Sequence, residues 1–282
     1  MIGECGMSVA VPIRKALWLA VLLMAAGCGE GGPQQPVIVP TGVSPVTRTV
    51  RVAAASDLQF AMGEVIVEFQ KANPTIQVTP TYGSSGNFFS QLSNKAPFDI
   101  FFSADIDYPR KLDEAGLTLK DSLFDYAVGR IVVWVPQDSP IDVEKIGIES
   151  LIHPSVKKIA IANPAHAPYG RAAEAALKTL GLYDRVQGKL VLGENIAQTA
   201  QFVDSGAADI GLIALSLAVA PQMKEKGRYW LVPVDSHPVL EQGGVILAWA
   251  KDVEATGQFQ AFVTGDVGRA ILKRYGFVLP GE

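Results

Sequence analysis

Cysteine and histidine are scarce in this 282-residue chain, and their scarcity excludes several kinds of site. Cys5 and Cys28 are the only cysteines, and both lie near the N-terminus, so no disulfide can form within the rest of the chain. The three histidines, His153, His166 and His237, have no metal-ligand spacing such as HExxH. The sequence therefore predicts neither a disulfide-stabilised scaffold nor a site for a bare metal cation.

Basic charge is also in short supply. The 24 lysines and arginines are outnumbered by 28 aspartates and glutamates, which gives a formal net charge of -4. A nucleic-acid partner is therefore excluded, because phosphate neutralisation requires a basic face. Apolar residues make up 49% of the chain, which is ample for a buried core in one large or two medium domains.

The N-terminal segment has the layout of an export signal. Arg14 and Lys15 precede an apolar run at 16–26, which is too short to anchor the chain across a bilayer. The following Gly27-Cys28 resembles the end of a lipoprotein cleavage box, although Ala25 stands where that box usually has leucine. We expect residues 1–28 to be a signal peptide and Cys28 to be lipidated. The protein would then be exported to the periplasm and held at a membrane only by this lipid; ordinary cleavage to a soluble protein is the alternative.

Residues 29–49 are rich in glycine and proline and show no periodicity, so they are predicted to be a linker. From residue 50 onward, short β-rich runs alternate with amphipathic segments, which predicts an α/β fold with mixed, mainly parallel sheets covered by helices. A chain of this length is expected to divide its core in two. The predicted strands are 50–54, 76–81, 99–102, 130–135, 159–162, 189–192, 210–214 and 245–250, and the predicted helices are 58–72, 86–94, 108–115, 173–180, 196–203, 253–263 and 267–275.

Four strand-to-helix junctions carry small polar residues where ligands bind in such sheets. They are AAASDL with Ser56 and Asp57, YGSSGN with Ser84 and Ser85, APYG with Tyr169, and GENIA with Asn195 and Ile196. A helix N-terminus offers unpaired N–H groups and partial positive charge, and hydroxyl groups add further donors.

These junctions contain no lysine or arginine before Arg171, so the pattern favours a small anion held by amides and hydroxyls. Taken one by one, the serines could be ordinary helix caps, each stabilising its helix by about 1 kcal/mol. Tyr169 alone could be a packing residue.

Six segments, in order between about residues 50 and 280, resemble the periplasmic molybdate-binding proteins of ABC transporters: AAASDL, YGSSGN, FDIFFSAD, IANPAHAPYGRAA, GENIAQTAQFVDSGAADIGLIALS and ILKRYGF. The resemblance implies a two-lobe, Venus-flytrap (type II) periplasmic-binding-protein fold, with lobe 1 at 50–126 plus 243–282 and lobe 2 at 128–234. It further implies a monomeric, non-enzymatic protein without a cofactor. Such a protein would bind molybdate, and tungstate of the same charge and nearly the same size, for delivery to an ABC transporter permease.

The same resemblance assigns residues to the site. Ser56 and Ser85 match hydroxyl ligands of the first lobe, and Asp57 and Ser84 are further candidates through backbone or hydroxyl groups. In the second lobe Tyr169 matches a ligand tyrosine, and Ile196 offers its backbone amide. Some family members place a tyrosine at the position of Ala214 instead, and Tyr169 would replace it here.

The carboxylate of Asp57 leaves open which oxyanion is bound. A carboxylate facing a fully deprotonated oxyanion repels it and would favour a protonated one such as hydrogen phosphate. We expect instead that the Asp57 side chain caps its own helix while its amide faces the ligand. A binding protein for phosphate or sulfate, and a sensor domain without transport, remain alternatives. A periplasmic hydrolase using His166 as base is a third, although GSSG at 83–86 is not the GxSxG nucleophile turn.

Overall fold

The computed structural model describes residues 48–282, which form two five-stranded sheets with helices packed on them. The predicted signal peptide, Cys28 and nearly all of the predicted linker lie outside these residues. The strands of the described part are β1 (Arg48–Ala55), β2 (Ile76–Gly83), β3 (Ile100–Ser103), β4 (Phe124–Gly129), β5 (Ile131–Pro136), β6 (Ile159–Ala162), β7 (Leu190–Gly193), β8 (Ile210–Ala214), β9 (Gly227–Leu231) and β10 (Leu240–Ile246).

Most of the helices begin after the end of a strand, as expected for α/β units. They are α1 (Gln59–Ala72), α2 (Ser85–Ser93), α3 (Asp107–Glu114), α4 (Val143–Ile146), α5 (Pro168–Thr179), α6 (Tyr183–Val186), α7 (Ile196–Asp204), α8 (Leu215–Ala218), α9 (Val253–Thr264) and α10 (Asp266–Arg274). A short 3-10 turn, Ser56–Leu58, connects β1 to α1. Gly181 and Gly206 follow α5 and α7 with φ values of +70° and +75°, the left-handed conformation that commonly ends a helix.

Both sheets are mixed. The first has the order β2-β1-β3-β10-β4 and the second the order β7-β6-β8-β5-β9. In each sheet the first three strands pair in parallel, and the last two join through antiparallel pairings. The chain crosses between the sheets twice, from β4 to β5 and from β9 to β10.

Each sheet has its own apolar core. Under the first sheet, Phe69 and Phe102 both pack edge-on against Phe259, with ring centroids 5.1 and 6.1 Å apart. The second core surrounds the fully buried Trp134 of β5. Across residues 48–282, no helix combines the length and the apolar character that a membrane crossing requires.

Most predicted strands and helices are confirmed to within a few residues. The exceptions are strands next to the two connections between the sheets. Strands β4 and β9 were not predicted, and the prediction of a strand at 245–250 is wrong, because β10 spans Leu240–Ile246. Gly243 and Gly244 suggest a turn in the sequence, yet they lie in β10 beside a register shift. A Cβ atom at Gly243 would overlap the Ile106 side chain, so the glycine allows close packing inside the sheet.

Candidate functional site

The four junctions meet around one small cavity. Its lining comes from the ends of β1 and β2, from the residue after β3, and from the starts of α5 and α7; it consists of Ala55, Ser56, Asp57, Gly83, Ser84, Ser85, Ala104, Ala167, Pro168, Tyr169 and Ile196. All six residues assigned to the site from the sequence are in this set. The cavity volume is about 10 Å³, close to the smallest space that holds one water molecule. The side chains that line the cavity, such as Tyr169, must therefore shift to admit a ligand of a few atoms.

Helix starts supply backbone donors to this cavity. Ser85 is the first residue of α2, Tyr169 the second of α5 and Ile196 the first of α7. The N–H groups of a first helical turn have no acceptor within their own helix, and the helix dipole adds positive potential there. Asn195 caps α7, because its Oδ1 accepts from the N–H groups of Ala197 and Gln198. The Asn195 side chain thus pairs with the N–H groups of Ala197 and Gln198, and it does not pair with the N–H group of Ile196.

The serines at the cavity do not cap their helices. Ser56 Oγ accepts from the Ala197 N–H at 3.3 Å, and Ser85 Oγ accepts from the Ala104 N–H at 3.0 Å. A serine hydroxyl that accepts one hydrogen bond still has its own proton to donate. Both hydroxyls can therefore donate to an anion in the cavity without losing their protein contacts.

Asp57 is the unusual member of the lining. Its side chain is 1% exposed, and Oδ2 accepts from the Tyr169 hydroxyl at 3.0 Å and from Gln242 Nε2 at 2.6 Å. Burial raises the pKa of the Asp57 carboxyl from 3.8 to about 6, although the hydrogen bonds from Gln242 and Tyr169, and then the nearby backbone N–H groups of Asp57 and Leu58, oppose the shift. The expectation that this side chain caps its own helix is wrong, because its partners lie on α5 and β10.

A buried network extends from Asp57 away from the cavity. Gln242 Nε2 also lies 3.1 Å from the Tyr169 hydroxyl, and Gln242 Oε1 accepts from the Tyr126 hydroxyl at 2.8 Å. The pKa values of both tyrosines are raised well above their ordinary value by burial and by the nearby Asp57 charge, so both hydroxyls keep their protons. Sequence reasoning missed Tyr126 and Gln242; the only sequence signal was a glutamine inside the otherwise apolar and glycine-rich centre of β10.

Around the cavity, the two halves of the structure are joined by polar contacts. The Gly86 N–H donates to the His166 carbonyl at 2.9 Å, and Arg171 pairs with Asp105 at 2.5 Å. Arg171, the first cation of these junctions, thus binds a carboxylate and is not part of the cavity lining.

One contact bears on the hydrolase alternative. Ser84 Oγ lies 3.0 Å from His166 Nδ1, which is within reach for a nucleophile and a base. However, His166 Nε2 is 3.7 Å from Glu194 Oε2, beyond hydrogen-bond distance, and the Glu194 side chain is 58% exposed. Among residues 48–282, His166 therefore has no third group within hydrogen-bond distance that would orient it as a base.

The fold and the cavity define a class of protein. A family model described as bacterial extracellular solute-binding protein matches residues 50–278, and the chain belongs to this family. Its fold is the predicted periplasmic-binding-protein fold, with two mixed sheets covered by helices.

Comparison with individual members narrows the family to its molybdate-binding relatives. The chain is 36% identical over 230 residues to the molybdate-binding protein ModA of Azotobacter vinelandii, covering 82% of this chain and 90% of that protein. It is 34% identical over 201 residues to ModA of Rhodobacter capsulatus, covering 71% and 77%. The structure of the Azotobacter vinelandii periplasmic molybdate-binding protein superposes with a TM-score of 0.77 at 32% identity, covering 82% of this chain and 99% of that one. A sulfate-binding protein, SubI of Mycobacterium tuberculosis, shares the fold at 14% identity with a TM-score of 0.66.

Proposed function

We propose that the protein binds molybdate, and also tungstate, in the cavity between two lobes and delivers it to an ABC importer. The observation that carries the proposal is the pair of serine hydroxyls, Ser56 and Ser85, whose protons are free to donate while their oxygens are held by backbone N–H groups. A tetrahedral dianion has only acceptor oxygens, so fixed neutral donors match it without any cation. The lining residues found within 48–282 include no lysine or arginine.

The donors come from both halves. Ser56, Ser85 and the amides near them face the ligand from the first sheet, and the Ile196 amide and Tyr169 face it from the second. Ser84 contributes through its backbone or hydroxyl group. The Tyr169 hydroxyl donates to Asp57 in this structure, so its contact with the ligand requires exchange of that bond. The choice of molybdate is supported by the relatives at 34–36% identity, whose names state that they bind it.

The ligand bridges the two lobes and therefore favours their closed arrangement. We place lobe 1 at 50–126 plus 243–282 and lobe 2 at 128–234. The protein acts as an exported monomer, held at the membrane through lipid on Cys28, and presents its ligand to the permease of the transporter.

Loading of the purified protein with molybdate tests this proposal. After desalting, metal analysis should find one molybdenum per chain in the unaltered protein. Ser56→Ala and Ser85→Ala each remove a hydrogen bond to a charged ligand, which contributes about 1.5–3 kcal/mol, or roughly 10- to 150-fold in affinity. Ser93→Ala is the control, because Ser93 lies at the end of α2, is exposed and is not part of the cavity lining. Full retention of molybdenum affinity by both cavity variants would contradict the proposal.

A further inference from the structure

The two carboxyl oxygens of Asp57 have different surroundings. Oδ2 accepts from the Tyr169 hydroxyl and from Gln242 Nε2. Oδ1 is buried and has no hydrogen-bond partner among residues 48–282. A buried polar atom without a partner destabilises a folded protein, so such an atom calls for an explanation. Because Asp57 lines the cavity, a ligand held there can provide the missing partner.

The same asymmetry fixes where a proton on Asp57 must be. Oδ2 meets two donors in this structure, and Gln242 Nε2 still donates to it when the Tyr169 hydroxyl turns to the ligand, so a proton added to the carboxyl group belongs on Oδ1. From there it can be donated only to an acceptor that the described residues do not supply. The oxygens of a tetrahedral oxyanion are such acceptors.

An ionised Asp57 would instead repel an oxyanion held in the cavity. Two negative groups sharing a small buried site repel each other strongly, and one of them takes up a proton. No cationic side chain forms a hydrogen bond or ion pair with Asp57 within the described part of the chain to offset this repulsion. The titratable groups that face it are Tyr169 of α5 and Tyr126 of β4, and both remain protonated and neutral.

We propose that Asp57 is a specificity-determining residue that binds a fully deprotonated oxyanion only in its protonated form, so that binding of molybdate takes up one proton. This inference rests on the proposed function. The carboxyl group then contributes to binding, because its protonated Oδ1 is one more neutral hydrogen-bond donor in a site built from neutral donors. It also makes the affinity for molybdate fall as the pH rises.

The pH range follows from the free protein. Burial places the pKa of Asp57 at about 6, so the carboxyl group is mostly ionised at neutral pH before ligand arrives. Above that pKa, each unit of pH should weaken binding by up to about tenfold, because one proton must be bound together with the ligand. Below it, the proton is already present, and the affinity should level off.

Calorimetric titration with sodium molybdate at several pH values between about 5.5 and 8.5 tests the inference. At each pH the titration is run in two buffers with different heats of ionisation, so that the dependence of the measured heat on the buffer counts the protons taken up. We expect nearly one proton per molybdate at pH 7.5 and above, and a fraction that decreases toward pH 5.5. No proton uptake at pH 7.5 with an unchanged dissociation constant between pH 6.5 and 8.5 would overturn the inference.

Asp57→Asn supplies the matched variant. Its amide oxygen can accept from Tyr169 and Gln242, which places its NH₂ group at the position of Oδ1 as a permanent donor. We expect this variant to bind molybdate without proton uptake, with an affinity independent of pH and higher than that of the unaltered protein at pH 8.5. Proton uptake retained by the variant would assign the linkage to another group and overturn the inference. If molybdate binds the unaltered protein at no pH, the proposed function itself fails, and the inference fails with it.

Discussion

Tyr169 and Tyr126 belong to one buried hydrogen-bond network, yet only Tyr169 lines the cavity. Both hydroxyls bond to buried groups, so Tyr169→Phe and Tyr126→Phe should each lower the free energy of unfolding by about 1–3 kcal/mol. Only Tyr169→Phe should also weaken molybdate binding, by roughly 10- to 150-fold. Denaturant unfolding and calorimetric titration of both variants measure the two effects separately. Equal dissociation constants for the two variants would remove the Tyr169 hydroxyl from the binding contacts.

The residues of the cavity and of its buried network differ in how far they could be predicted from the sequence. Ser56, Ser85 and Ile196 could be predicted because each stands where a strand run gives way to a helical pattern, and this local order fixes where the backbone N–H groups point. Tyr126 and Gln242 could not, since each lies within a strand and its partner is more than 100 residues away along the chain. Their contact depends on the register of β4 against β10, which only the assembled sheet determines.

At the scale of elements, helix α2 packs closely on the segment before α5, and Gly86 of α2 is the residue at the contact. A Cβ atom at Gly86 would lie 2.6 Å from the His166 carbonyl oxygen and 2.9 Å from the Tyr108 hydroxyl. Gly86→Ala should therefore hold the two halves apart and weaken molybdate binding by at least about tenfold, or ~1.4 kcal/mol. Its stability should change little, because separation of the halves relieves the clash.

The matched control for this variant is Gly63→Ala in α1. No atom outside the helix lies within 4 Å of a Cβ placed there, and alanine in a helix interior is favoured over glycine by about 0.5–1 kcal/mol. Binding should be unchanged and the free energy of unfolding slightly increased. Native affinity of Gly86→Ala in the same titration would mean that the close approach of α2 to the segment before α5 is not needed for binding.

The elements that sequence reasoning missed share a physical cause. Strand β9 (GRYWL) has a half-buried centre and an exposed last residue at the edge of its sheet, so its apolar pattern is weak. Strand β10 contains two glycines that pack closely on Ile106 and Phe124 rather than forming a turn. In both, tertiary packing overrides local propensity. Strands β6 and β8 were predictable because burial on both faces makes them almost continuously apolar.

At the scale of the whole molecule, two sheets with separate cores are joined by two crossings, and residues of both halves line the small cavity. This arrangement suits a ligand that contacts both halves, because the ligand then stabilises their closed position relative to any open one. The donors are neutral on both sides, so for the proposed function we expect discrimination among tetrahedral oxyanions to depend on the size of the cavity and on protonation rather than on net charge. The proposed role of Asp57 would supply this dependence on protonation.

Calorimetric titration of the unaltered protein with molybdate, tungstate, sulfate and phosphate, each alone at about pH 6, is the most direct test of the central claim. At this pH about half of the Asp57 carboxyl groups already carry the required proton, so the proton linkage weakens binding by only about twofold. We expect one site per chain for molybdate and for tungstate, with similar affinities because the two ions have the same charge and nearly the same size, and far weaker binding of sulfate and phosphate. Tight binding of phosphate or sulfate with no heat from molybdate would contradict that claim.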